Sequence, residues 1–127
     1  MKCNLKLLSS LEKVFFEQLD NLPECNSGSM FKNEIYSFQL ACFGEDENYL
    51  LQRLKARIKV ESELEPYIQV KRIDYVPSIL PGYMGSGDED YLTKVSGLFP
   101  DPLQSIKDGR VELANGQARA FWISVEP

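Results

Sequence analysis

Two prolines separated by a single residue, in Ser96-Gly97-Leu98-Phe99-Pro100-Asp101-Pro102-Leu103, restrict this chain more than any other stretch. Proline lacks a backbone N–H and fixes φ, so the segment is excluded from a helix interior and from the centre of a sheet. Leu98, Phe99 and Leu103 carry too much apolar surface to be left wholly in water. The reading is a rigid loop laid against this domain's core or a neighbour.

The flanking sequence reads as short strands. Residues 35–43 alternate, with Tyr36, Phe38, Leu40 and Cys42 on one face and Ser37, Gln39 and Ala41 on the other. Residues 44–48 form an acidic turn. In residues 49–62 a helical stripe (Leu50, Leu51, Leu54, Ile58) competes with strict alternation from Leu54 through Glu61, and the alternation favours a strand. Residues 67–76 form another strand, ended by Pro77, with Tyr67, Ile73 and Tyr75 on one face and Ile68, Val70 and Val76 on the other. Lys107-Asp108-Gly109 is a turn, residues 110–113 a short strand, and Asn115-Gly116 a strong turn signal. Residues 118–125 are apolar enough for a buried strand. Residues 20–29 collect Asn, Pro, Gly and Ser and read as a surface loop. In residues 5–16 helical spacing (Leu7, Leu8, Leu11, Phe15) and short strands both fit. Strands punctuated by turns indicate an all-β fold: an immunoglobulin-like antiparallel sandwich, with 1–127 as one domain.

Several chemistries are disfavoured. The chain has no histidine and three cysteines without C-x-x-C spacing, which argues against a paired Cys/His zinc site and removes Ser-His and Cys-His nucleophile pairs. No cofactor is expected. A net charge of −5 does not attract a phosphate backbone. The one dense basic run, Arg53, Lys55, Arg57 and Lys59, alternates with apolar residues and reads as the solvated face of a strand. The glycines and acids of residues 82–96 lack the Lys-Ser/Thr of a phosphate loop, and Asp88-Glu89-Asp90 lacks EF-hand spacing. No leader-like or membrane-spanning run is present, so no membrane partner is expected and a cytoplasmic location is favoured. Carboxylates are plentiful, but no pair is visibly held in contrasting environments, so catalysis within the chain is not expected. Tyr83, Tyr91, Leu98, Phe99 and Asp101 are the candidates for contact with a partner domain or a glycan. Trp122, between apolar neighbours, reads as core.

The order of features resembles the N-terminal β-sandwich of family 123 glycoside hydrolases. The matching pieces are residues 10–15, residues 33–40, Val76-Pro77-Ser78, Asp90-Tyr91-Leu92, residues 97–103, Gly116-Gln117 and residues 121–125. They span nearly the whole chain, and the proline loop followed by the tryptophan strand is the most specific. The resemblance implies a non-catalytic accessory domain bracing a downstream (β/α)8 barrel that hydrolyses N-acetyl-β-galactosaminides. No barrel acid maps here, so no catalytic residue is carried over. It also implies a strand over residues 11–16. Family members continue into further sandwich strands, which leaves open whether the last strand is present; a missing one would leave an edge open to dimerisation. The alternatives are a carbohydrate-binding module using loop aromatics and a free-standing protein-interaction sandwich.

Overall fold

The computed structural model describes residues 2–16, 19–49, 53–79, 93 and 95–127. Seven strands form an all-β, sandwich-like fold: β1 (Lys2–Ser9), β2 (Tyr36–Glu45), β3 (Arg53–Arg57), β4 (Ile68–Ser78), β5 (Gly97–Ser105), β6 (Arg110–Ala114) and β7 (Gln117–Val125). The larger sheet has the order β1-β2-β7-β4-β5, and the smaller pairs β3 with β6. Every pairing is antiparallel. Among the described residues, no helix is long and apolar enough to cross a membrane.

β7 is the central strand, which explains its composition. A strand covered on one face alternates, whereas one covered on both reads as a continuous apolar run. Ala118, Ala120, Phe121, Ile123 and Val125 are all buried. One face packs Phe121 with Cys42 of β2 and with Val111 and Leu113 of the small sheet. The other packs Ala118 and Ala120 with Leu8, Ala41 and Ile73, beneath Val14 and Leu19. The alanines leave room for backbone to lie on the sheet, and the Ala118 N–H donates to the Phe16 carbonyl at 2.9 Å.

The proline stretch is a strand rather than the expected loop. It is β5, an outermost strand, where a missing N–H costs no ladder bond if it faces solvent. Ile73 pairs with Leu103 and Tyr75 with Pro100, so Asp101 and Pro102 bulge opposite the single residue Asp74. Pro77 likewise does not end β4, which runs to Ser78. β4 pairs with β7 only from Ile68 to Arg72, so among the described residues Pro77 has β5 as its one sheet neighbour and is tolerated.

Two further expectations change. Residues 11–16 form neither helix nor strand but an irregular segment against β7 and β4. β3 stops at Arg57 although its alternation continues to Glu61. Its partner gives out first: Asp108 and Gly109, at φ 55° and 65°, turn the chain into β6 just past the Ile58–Gly109 contact. A Cβ on Gly109 would collide with the Ile58 carbonyl oxygen, in a conformation L side chains rarely adopt. Gly109→Ala should therefore cost about 2 kcal/mol or more. Thermal unfolding measures the loss, with faster exchange of the β3 and β6 amides as its local signature.

Candidate functional site: the groove behind β5

The described part of the proline stretch forms one wall of a groove, and residues 10–16 form the other. Gln39 holds that second wall. It is 2% exposed, and its Nε2 lies 3.0, 3.2 and 2.8 Å from the carbonyl oxygens of Ser9, Ser10 and Glu12. A buried amide with carbonyls to satisfy fixes an irregular segment as a ladder fixes a strand. The Tyr75 hydroxyl then donates to the Val14 carbonyl at 2.8 Å, and Lys13 Nζ to the Pro100 carbonyl at 3.3 Å. Phe15 meets Phe99 edge-to-face, with ring centroids 5.7 Å apart.

A polar–aromatic cluster anchors the inner end. Phe16 and Tyr75 lie 4.3 Å apart, and the Arg119 guanidinium carbon sits 5.4 and 4.9 Å from their ring centroids. Asp74 accepts two hydrogen bonds from Arg72, at 2.7 and 2.8 Å, and lies 3.7 Å from Arg119. Its carboxylate thus joins β4 to β7 where the two strands separate.

Two cavities follow the groove. The larger, about 680 Å³, is lined by Leu11, Phe15, Leu22, Val95, Leu98 and Phe99. The smaller, about 180 Å³, is lined by Ser10, Glu12, Gln39, Asp101, Leu103 and Trp122, among others. Among the exposed large apolar residues, Val76, Ile79, Val95 and Leu98 lie on or just beyond the paired ends of β4 and β5, with Val76 and Leu98 on opposite faces of the pair. Val76 pairs with Phe99 and Pro77 with Leu98, and Ser96 Oγ donates to the Ile79 carbonyl at 2.5 Å.

Leu98, Phe99 and Asp101 therefore meet at one groove, Leu98 exposed and Phe99 half-buried against Phe15. Asp101 lies at the bulge. Tyr83, Tyr91 and the acidic run at 88–90 lie outside the described residues. Trp122 is part core, packed on Ala118 and Ala120, and part wall of the smaller cavity. The role of Gln39 had no signature in the sequence, where alternation gives only its face. Among the described residues, no group of three acidic, cysteine or histidine side chains is placed to hold a metal ion.

Burial affects two titrating groups near the core. It pushes the Tyr75 phenol from 10.0 up to about 12, against the opposing pull of Arg119. It also pushes the Cys42 thiol from 9.0 up to about 11, with Cys3 adding to the rise and Arg119 opposing it. In both cases the folded chain keeps a proton that the unfolded chain releases first. Their contribution is complete below pH 9 and is lost as pH rises through about 9–11 for Cys42 and 10–12 for Tyr75. Urea titrations across alkaline pH should show falling stability, and Cys42→Ala should flatten the first part of the fall.

No protein-family model matches the chain, and no curated protein matches it.

Proposed function

We propose that this chain is a non-catalytic accessory sandwich whose β4–β5 corner and groove pack against a neighbouring domain of the same polypeptide. The resemblance to family 123 glycoside hydrolases makes that neighbour a (β/α)8 barrel acting on N-acetyl-β-galactosaminides, and an immunoglobulin-like connectivity belongs to the same proposal. The observation carrying the reading is exposed apolar surface at the groove: Val95 and Leu98, 72 and 46% exposed, line its larger cavity, whose walls are fixed by hydrogen bonds from Gln39 and Tyr75, and Val76 and Ile79, 39 and 80% exposed, lie at the adjoining end of β4. Contiguous apolar surface rimmed by polar groups marks interaction sites on soluble domains. A paired Val76→Glu and Leu98→Glu variant tests it. The isolated chain should change in stability by no more than about 0.5 kcal/mol, because both side chains are exposed. In the full-length gene product the same pair should separate the unfolding of this domain from that of its neighbour. Unchanged joint unfolding would count against the proposal.

A second reading rests on the smaller cavity. Its volume of about 180 Å³ suits one sugar ring, and Trp122 with Asp101 and Glu12 offers an apolar surface beside hydroxyl-binding groups. Trp122 is the only tryptophan, so its fluorescence reports this cavity alone. Titration with N-acetylgalactosamine should perturb the emission with saturation; a flat response up to about 10 mM sinks this reading.

A further inference from the structure

The small sheet carries the second surface. β3 and β6 pair through Arg53 with Ala114, Lys55 with Glu112 and Arg57 with Arg110. Side chains two apart share a face, so Arg53, Lys55 and Arg57 form a cation row with Arg110 beside it, and all four are exposed. Within β3 and β6, Glu112 is the one acid on that face, and it is engaged with Arg53 at 2.8 Å. Among the described residues, Lys55, Arg57 and Arg110 make no ion pair. Arg57 and Arg110 stand directly opposite each other, a like-charge arrangement that destabilises a bare ladder.

The backbone on this side is open as well. Ile58 N–H donates to the Gly109 carbonyl at 2.8 Å, which fixes the phase of the strand. The amide and carbonyl groups of Leu54 and Ala56 point toward β6, and those of Arg53, Lys55 and Arg57 point away. Among the described residues β3 pairs with β6 alone. Of the outer strands of the larger sheet, β5 is protected by its bulge and prolines. The upper half of β1 is covered, where Cys25 N–H donates to Leu7 and Lys6 reaches the carbonyls of Leu19, Asp20 and Leu22.

We propose that the outer edge of β3, which no described residue pairs, is a docking site for an extended acidic segment of another polypeptide, added as a third strand with carboxylates opposite Arg53, Lys55 and Arg57. Side chains on one face of any extended peptide recur about every 7 Å, so acids at alternate positions match the cation row residue for residue. The same row rejects the edge's simplest competitor. A second copy of β3 would set cations against cations, a common device against self-pairing. Nucleic acid fits poorly, because β3 and β6 carry no aromatic residue for stacking. Two strands of five residues are also much smaller than a specific duplex footprint of at least about 1,000 Å².

The probe is the synthetic peptide Thr-Glu-Thr-Glu-Thr-Glu-Thr, titrated into the intact chain and followed by amide NMR shifts. The expected result is saturable binding below about 1 mM, with the largest shifts at residues 53–57. The scrambled peptide Glu-Glu-Glu-Thr-Thr-Thr-Thr has the same charge and should bind about tenfold more weakly, as should the alternating peptide presented to Lys55→Glu. Lys55→Gln should give an intermediate loss without placing a second acid opposite Glu112. Equal binding of the scrambled peptide, no shifts at 1 mM, shifts centred away from β3, or tighter binding of duplex DNA than of the peptide would each overturn the proposal.

Discussion

Phe121→Ala should be the most damaging single truncation in the chain, at about 3–5 kcal/mol. Phe121 is 1% exposed on the central strand and is the side chain around which the two sheets meet, touching the cluster of Cys42, Val111 and Leu113. Neighbouring strands on both sides restrict β7, so the vacated volume cannot collapse. A domain this size has about 5–15 kcal/mol of total stability, so the variant should be partly unfolded at physiological temperature. Chemical denaturation with the m-value held constant measures the loss. A loss under about 1 kcal/mol would mean that the small sheet is not packed on β7 as described.

Gln39→Leu should be nearly as costly, at about 2–3 kcal/mol, for a different reason. Leucine fills similar space and keeps the apolar contacts, but the Ser10 and Glu12 carbonyls lose the amide donor and Ser9 keeps only the Glu12 N–H. The damage should be local. Amides of residues 10–16 should exchange faster while β7 keeps its protection, because the amide clamps an irregular wall rather than a sheet. Uniformly faster exchange would show that Gln39 supports the whole core. The contrast between the two variants separates the fold from the groove.

Strand patterning made much of this architecture legible. The alternation in residues 35–43 and the apolar run at 118–125 become β2 and β7, and the turn at Asn115-Gly116 is present. That turn carries the chain from the small sheet to the large one, and Asn115 clamps it through hydrogen bonds with the Asp46 backbone at 2.7 and 3.1 Å. The proline stretch is a strand that local chemistry does not reveal, because that chemistry excludes central strands but says nothing about sheet order. Being outermost, β5 accommodates both prolines. The irregular course of residues 11–16 depends on Gln39 and Tyr75, which lie far away in sequence, and no local period records such contacts. The basic run was correctly placed on an exposed face, but the cross-strand partner Arg110 and the open backbone beside it appear only once β3 and β6 are paired. Of the groove, the apolar surface of Leu98 and Phe99 is legible in composition, whereas Gln39 and the wall it holds depend on tertiary packing.

The β4–β5 corner and groove are proposed here as an interface with a neighbouring domain of the same polypeptide. Hydrogen exchange at the amides of Leu98, Phe99, Asp101 and Leu103 tests it most directly, because Pro100 and Pro102 contribute none. The comparison is between the isolated chain and the full-length gene product. These four amides should exchange at least about tenfold more slowly in the longer protein, with β7 unchanged. Equal exchange in the two, or an open reading frame that ends at Pro127, would contradict it.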